Sequence, residues 1–492
     1  MMGSYHILLG VQLPVILDNR IRVNASELPD DLAWMMAEAL TFDNLEKEAA
    51  KKNNTKGWKD MPDEIELFEI EGPFVSFPRG FRHDFEHGLA HYGITPVYDD
   101  RRQKEQFFRL GHPIKPRDHQ PAAVEAIKKH EDMIYKGPTG SGKTITSLLA
   151  IRSLARRSIV LVNTLAVAEQ WIKRSNQALG AHYPVTLIGD GKMEISPYLT
   201  IATAQTIWSR YDELESTGFF EMFGAAVLDE CHHATALTYM AIVDRFTAQH
   251  RWGVSATPDK TGDFRIAKAV LGPVLHETPL KEMFEKGYLL KPTVLKINSR
   301  FGYGFRGAMG RRQSNYTKMM SELVKDPMRN IAIARQMMLL RQRKQLVLSA
   351  RLEQLDRLKD MLIEEGFPEE YIFFLTGRET REQREALEAQ VYDSPYCVVF
   401  STIANEAVDI PPLDVVHLVY PQKNTGLITQ QIGRIMRAME GKLTPLVIDW
   451  TDNNVGPLSA QWTARKREVY LPLGIPIQRK QVDDLLRGAT LA

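Results

Sequence analysis

The sequence predicts an α/β protein made of two tandem lobes with parallel sheets, preceded by a small α/β N-terminal domain. Three observations predict it. The chain has 492 residues, more than one core accommodates and enough for about three domains. From about residue 109 onward, short apolar strand-like runs alternate with helical patterns, the rhythm of crossover-connected parallel sheets. The runs fall into two sets of five, separated by a stretch dense in Gly and Arg (RFGYGFRGAMGRR).

Taken in order, the opening MMGSYHILLGVQLPVIL reads as a strand pair. It lacks the basic start and small-residue cleavage site of a secretory signal. A helical stretch is expected from about Leu28 to Leu45, then a solvated loop or frayed helix over Lys47–Asp60, then strands at Glu66–Ile70 and Phe74–Phe77. The first strand set is Asp132–Lys136, Ser158–Asn163, Leu199–Ala204, Ala225–Glu230 and Trp252–Ala256. The second is Gln345–Ala350, Tyr371–Thr376, Tyr396–Thr402, Val415–Tyr420 and Pro445–Trp450. The expected division is therefore an N-terminal domain over 1–108, a first lobe over 109–285, a connection over 286–330, a second lobe over 331–455 and a C-terminal extension over 456–492.

Composition limits the function classes. The chain is 44% hydrophobic and 25% charged, without a low-complexity tract. No apolar run approaches the ~20 residues that span a membrane, so no membrane partner is expected. The two cysteines, Cys231 and Cys397, fall in different expected lobes, which gives no disulfide framework and fits a reducing cytoplasm, bacterial or phage-infected. The net charge of +1 hides an uneven distribution. Residues 1–108 hold 12 Lys and Arg against 19 Asp and Glu, residues 109–450 hold 44 against 38, and the tail holds 6 against 4. The basic excess lies on the two lobes, where a polyanion would be expected to bind.

The strongest motif is Gly137-Pro-Thr-Gly-Ser-Gly-Lys-Thr144, which satisfies G-x-x-x-x-G-K-[ST] between an expected strand (DMIYK) and helix (ITSLLAIRSLA). Gly137, Thr139, Gly140, Ser141 and Gly142 would turn backbone N–H groups onto ATP phosphates at a helix N-terminus. Lys143 would reach the β- and γ-phosphates, and Thr144 would ligate Mg2+. The second motif, Ala225-Ala-Val-Leu-Asp-Glu-Cys-His-His233, ends an apolar strand in two carboxylates. Asp229 is expected to hold Mg2+ and Glu230 to orient and deprotonate the attacking water. A zinc site from Cys231, His232 and His233 is the rival, but three adjacent residues do not converge as spaced ligands do.

Asp229-Glu-Cys-His resembles the DEAD/DEAH-type motif II of helicase superfamily 2, and other segments resemble that family's motifs in its order. Arg117-Asp-His-Gln120 is similar to the adenine-reading Q-motif. Leu161–Trp171, Thr203–Thr206 and Ser255-Ala-Thr-Pro258 resemble motif Ia, a strand-binding segment and motif III. Leu348–Arg351 resembles motif IV, Ser401 through Pro411 resembles motif V, and Gln430-Gln-Ile-Gly-Arg-Ile-Met-Arg437 resembles motif VI. The resemblance covers about residues 110–450. It implies two RecA-like lobes sharing one ATP site and a nucleic-acid-dependent ATPase or helicase. Thr164, Thr203, Gln205, Arg351 and Thr402 become the expected nucleic-acid contacts, with Gln430 and Asp409 beside the nucleotide. On a helix Gln430, Arg434 and Arg437 would share one face, with Arg437 as arginine finger and Arg434 supporting it. Trp171 and Trp208 read as packing residues.

Motif VI begins with Gln, which is closer to the XPB-like and phage UvsW-like DNA helicases than to DEAD-box RNA helicases. The order of Gly57-Trp58, the strand pair, Arg79-Gly-Phe81 and the helix Arg82–Tyr92 is similar to the small DNA-binding domain ahead of the UvsW motor. Asp449-Trp-Thr-Asp452, Arg465, Arg467 and Tyr470 are similar to its tail. The implied partner is single-stranded or branched DNA, or RNA within hybrids, met in the N-terminal domain through Lys51, Lys52, Lys56, Arg79 and Arg82. The expected function is an ATP-dependent DNA helicase or translocase remodelling forks, Holliday junctions or R-loops. Alternatives are a translocase subunit of a restriction or phage-defence complex, with a protein partner, and an RNA helicase. A small-molecule P-loop kinase would leave Gln430–Arg437 and the second strand set unexplained. An interaction-only protein would not keep Lys143, Asp229, Glu230 and Arg437 together.

Overall fold

The computed structural model describes residues 10–52, 55, 57–105, 114–180, 183–231, 237–256, 264–303, 312–376, 378–402 and 410–487. The chain divides into two compact units, Met1–Pro138 with Gly142–Thr278, and Thr139–Ser141 with Pro279–Ala492.

The first unit holds the N-terminal domain together with the first lobe. The domain's five-stranded sheet runs Glu69–Glu71, Phe74–Pro78, Arg20–Asn24, Val11–Leu17, Ile94–Asp100. Only the last pair is parallel. The expected helix from Leu28 to Leu45 is shorter. It spans Asp30–Ala39, because Thr41-Phe-Asp43 leaves it to pair as a strand with Glu64–Glu66. A second helix, Leu45–Lys52, has acidic residues in its first turn and lysines in its last, the arrangement a helix dipole favours. It covers Lys47–Lys52, the start of the stretch expected as solvated loop or frayed helix.

This domain is fused to the lobe. The turn Arg79–Phe81 packs backbone to backbone on the helix Phe264–Leu271. A Cβ on Gly80 would lie 2.3 Å from the Gly272 nitrogen, so only glycine permits the approach. Beside it Arg79, fully buried, donates to both oxygens of Asp132 (Nη2 at 2.7 Å, Nε at 3.0 and 3.2 Å) and to the Asp18 carbonyl at 2.9 Å. Arg251, also fully buried, donates to the same carboxylate at 3.1 Å and to the carbonyls of Asn19, Val243 and Val270. Arg102 meets Glu131 at 2.7 Å, and Arg20 pairs with Asp244. Arg79 was an expected phosphate contact, and the structure overturns that: its guanidinium is consumed by a carboxylate 53 positions away, out of reach of solvent.

The lobe itself is an eight-stranded sheet ordered Lys192–Met193, Val185–Gly189, Leu199–Thr203, Ser158–Val162, Ala225–Asp229, His250–Ser255, Asp132–Lys136, Val274–Glu277. All neighbours are parallel except the first pair. Alternate residues feed opposite faces: Val160 and Val162 enter one apolar cluster, Ile159 and Leu161 the other. Burial on both faces gives these strands apolar centres, which is why all five were visible in sequence. The three that were not lie toward the sheet margins and are more polar or half-exposed.

The second unit has a seven-stranded, all-parallel sheet ordered Ile372–Leu375, Cys397–Thr402, Lys344–Ser349, Val415–Leu418, Leu446–Thr451, Thr293–Asn298, Ile477–Gln481. The last two come from stretches expected as connection and C-terminal extension. They extend the sheet at one margin, and their half-exposed patterns explain why sequence periodicity missed them. Leu346, Leu348 and Val416 face one cluster, Val347, Val415 and Trp450 the other. No helix among the described residues is long and apolar enough to cross a membrane.

Candidate nucleotide site and the second-lobe motifs

The carboxyl ends of Asp132–Lys136, His250–Ser255 and Ala225–Asp229 lie side by side, because the register pairs Ser255 with Lys136 and Asp229 with Val254. Ligands of open parallel sheets bind at this kind of edge. There the chain leaves the first strand, with the Gly137 N–H donating to the Ser255 carbonyl at 3.0 Å. Gly140 and Gly142 take φ of +85° and +87°, the left-handed backbone that turns a phosphate loop. The helix Lys143–Leu154 follows.

Lys143 is nearly buried. Its ammonium donates to the Gly137 carbonyl at 3.1 Å and lies 3.8 Å from Glu230 Oε1. Thr144 is the second residue of that helix. Gln120 is buried against the same turn: its Nε2 donates to the Gly142 carbonyl at 3.4 Å, and its Oε1 accepts the Arg117 backbone N–H at 2.8 Å. These contacts brace the start of the phosphate-loop helix.

At the end of the Ala225–Asp229 strand, both Asp229 oxygens are held. Oδ2 accepts the Trp171 indole N–H at 2.6 Å, and Oδ1 accepts the Glu230 backbone N–H at 2.9 Å. Glu230 has φ of +45°, a strained conformation for a residue with a Cβ and a frequent mark of functional sites. Burial and the neighbouring Glu230 charge push the Asp229 carboxyl above the usual carboxylate range, while the Trp171 N–H and Lys143 pull it down. Cys231 is fully buried and packs on Gly253, where any Cβ would lie 2.8 Å away, and burial pushes its thiol up. That is the behaviour of a small apolar residue rather than a thiolate ligand. His232, His233, Thr257 and Pro258 lie outside the described residues, as do Lys56 and Asp409.

Two carboxylates with one nearby ammonium favour a cation, and Asp229 and Thr144 are hard oxygen donors that fit Mg2+. Among the described residues no group of three or more His, Cys, Asp or Glu is placed to hold a metal.

The other first-lobe candidates occupy the same edge. Thr164 follows the Ser158–Val162 strand and caps the helix Leu165–Leu179 by accepting the Val167 N–H at 3.3 Å. Thr203 ends its strand, with its hydroxyl 2.7 Å from that of Thr206, and Gln205 is exposed beside it.

In the second unit, Arg351 is exposed just past the strand Lys344–Ser349. Thr402 ends Cys397–Thr402 and donates to the Thr376 carbonyl at 3.2 Å. The helix Thr425–Ile435 carries Gln430 and a nearly buried Arg434. Arg437 does not share that helix face as expected. Met436 caps the helix, and the chain turns to bridge Leu289, with Leu290 N–H donating to the Met436 carbonyl at 2.6 Å. Lys442 fixes the same segment, donating to the carbonyls of Arg437 at 2.9 Å and Pro411 at 2.6 Å, and burial pushes it down to about 8.

Sequence reasoning also missed the task of the tail. Asp449 is fully buried and takes a bidentate pair from Arg465 (2.8 and 3.0 Å) and the Tyr470 hydroxyl at 2.5 Å. Asp452 is bound by Arg329 at 2.9 and 3.2 Å. Thr425, at the start of the Gln430-bearing helix, donates to Glu468 at 3.2 Å. The tail residues thus lock the second lobe internally. The one signal for this was the recurrence of Asp beside Arg and Tyr near a strand.

Two family profiles match the chain: type III restriction enzyme, res subunit, over residues 113–260, and helicase conserved C-terminal domain over residues 329–439. Among relatives, the DNA 3'-5' translocase XPB2 of Sulfurisphaera tokodaii is 28% identical over 185 residues, 37% of this chain and 40% of that protein. The match thus spans less than half of that relative's length. The ATP-dependent DNA helicase uvsW of Enterobacteria phage T4 is 22% identical over 395 residues, 76% of each chain. Among solved structures, the ATP-dependent type ISP restriction-modification enzyme LlaBIII bound to DNA aligns with a TM-score of 0.56 at 16% identity, over 81% of this chain and 34% of that one, a likeness of fold.

Proposed function

We propose, from the premise that the chain belongs to helicase superfamily 2 with UvsW-like and XPB-like character, that it is an ATP-driven DNA helicase or translocase acting on branched DNA. One observation carries the chemistry: a phosphate-loop lysine and a strained motif II glutamate meet at one sheet edge, with Lys143 Nζ 3.8 Å from Glu230. In this reading the loop N–H groups and Lys143 hold the ATP phosphates, and Glu230 orients the attacking water and accepts its proton. Thr144 and Asp229 would hold Mg2+, which neutralises charge on the phosphates. Arg437, with Arg434, would supply positive charge to the transferring phosphoryl group. Nucleic acid bound along Thr164, Thr203, Gln205, Arg351 and Thr402 would stimulate hydrolysis.

The substrate reading rests on the DNA-acting relatives and on the basic excess of residues 109–450. Remodelling of forks, four-way junctions or R-loops is our finer proposal. The experiment is the ATPase rate of the full chain against single-stranded, duplex, forked and four-way DNA and RNA. Strongest stimulation by forked and four-way DNA supports it, and stimulation by RNA alone would overturn it. The restriction-family profile over residues 113–260 favours a second reading, a translocase subunit whose output requires a protein partner. That reading predicts DNA-stimulated hydrolysis without strand separation or branch movement by the isolated chain.

A further inference from the structure

We infer that Trp171 is a positioning residue for the metal-binding carboxylate of motif II, its indole N–H aiming Asp229 at the cation. The inference rests on the proposed role of Asp229 in holding Mg2+. Trp171 lies on the helix Leu165–Leu179, 58 residues from Asp229 in sequence, and its N–H reaches Oδ2 at 2.6 Å.

The ring cannot swing away. It is 1% exposed and belongs to the cluster that holds Val160, Val162 and Val227. Its own backbone carbonyl accepts the Ser175 hydroxyl at 2.7 Å. The other Asp229 oxygen is fixed by the Glu230 N–H at 2.9 Å, delivered by the left-handed turn of Glu230. A carboxylate gripped at both oxygens does not rotate about its Cβ–Cγ bond, so its remaining lone pairs keep one direction. Trp suits the task because an indole N–H only donates and does not compete for the metal. Outer groups that orient metal ligands typically change metal affinity or activity by ~10–100-fold when removed.

A buried Trp also needs an acceptor for its N–H simply to fold. Trp252 is such a case: fully buried, it donates to the Ser147 hydroxyl at 3.2 Å. The two roles separate experimentally. A purely structural N–H predicts lower thermal stability in Trp171→Phe with an unchanged Mg2+ requirement. The positioning role predicts a changed requirement.

The test is binding of a fluorescent ADP analogue to the full chain, titrated with Mg2+. For Trp171→Phe we expect the Mg2+ concentration at half-maximal binding to rise about tenfold, with affinity at saturating Mg2+ within about twofold of wild type. Trp252→Phe should leave the Mg2+ midpoint unchanged. Asp229→Asn should raise it further than Trp171→Phe. If Asp229→Asn leaves the midpoint unchanged, the Mg2+ reading of Asp229 falls. If Asp229→Asn shifts it and Trp171→Phe does not, the positioning role alone is overturned. Should Trp171→Phe fail to fold, benzothienylalanine at position 171 keeps the ring shape and removes the N–H. The same rise supports the role, and a wild-type midpoint overturns it.

Discussion

Replacing Arg79 with Ala removes three hydrogen bonds to Asp132 and one each to the carbonyls of Asp18 and Gln249. Burial pushes the Asp132 carboxyl up, but the Arg79 and Arg251 guanidiniums overcome this and hold it below the usual carboxylate range. With Arg79 gone, Asp132 keeps Arg251 and loses its closest partner. Breaking a buried pair costs about 3–5 kcal/mol when the remaining charge is left uncompensated, so with Arg251 still in place the low end, about 3 kcal/mol, is expected. An exposed pair at the same interface gives the contrast: Lys268 meets Asp84 at 3.0 Å with both side chains 42% exposed, and Lys268→Ala should cost under about 1 kcal/mol. The assay is hydrogen–deuterium exchange. Because 1.4 kcal/mol is a factor of ten, Arg79→Ala should accelerate exchange of the Val11–Leu17 and Asp132–Lys136 strands together by roughly 150-fold or more. Faster exchange confined to residues 10–105 would refute the reasoning, since it would mean that the domain opens without disturbing the phosphate-loop strand. Deleting residues 1–108 is accordingly a poor probe of DNA binding, because it strips Arg79 from Asp132. Lys51→Glu with Lys52→Glu, at exposed positions, is the sounder test of DNA contact by this domain, with weaker binding to forked DNA expected and basal ATPase unchanged.

Other predictions follow from the same geometry. Burial and the nearby Arg156 charge push His250 down to about 4, and burial pushes His417 down to about 3. Both are neutral in folded and unfolded chains above pH 6.5, so their full contribution is present there and is lost as pH falls toward the folded values. At pH 5 each costs about 2 kcal/mol, and thermal unfolding midpoints measured from pH 7.5 to 5 should fall in both units. Gly142→Ala places a Cβ at φ +87° and 2.9 Å from Gln120 Nε2, so ATP binding should weaken at least tenfold by nucleotide titration. Asp449→Asn leaves Arg465 buried beside a neutral amide and should lower stability of the second unit by about 3 kcal/mol in thermal unfolding.

What was legible in the sequence is what is local or buried on two faces. The strand Asp132–Lys136 and the loop after it were visible because a strand with an apolar centre stops at a glycine pattern with few alternative conformations. The helix bearing Gln430 and Arg434 was legible for the same reason, but its end was not. Met436–Ala438 is drawn off by hydrogen bonds with Tyr288 and Leu290, some 150 residues earlier, so Arg437 leaves the helix face that spacing alone assigned to it. Arg79 looked like a free cation because Asp132 is distant in sequence, and Trp171 looked like mere packing because its acceptor ends a strand 58 residues further on. Thr293–Asn298 and Ile477–Gln481 were hidden by the polar residues that a sheet margin tolerates.

The central proposal is that Arg437 assists transfer of the phosphoryl group. It is tested most directly by the nucleic-acid-stimulated ATPase rate of Arg437→Ala, with ATP binding measured alongside. The account predicts a fall of about 10³-fold or more in the stimulated rate with ATP affinity retained, because the arginine acts on the transferring phosphoryl group. A stimulated rate equal to that of the unaltered chain would contradict it.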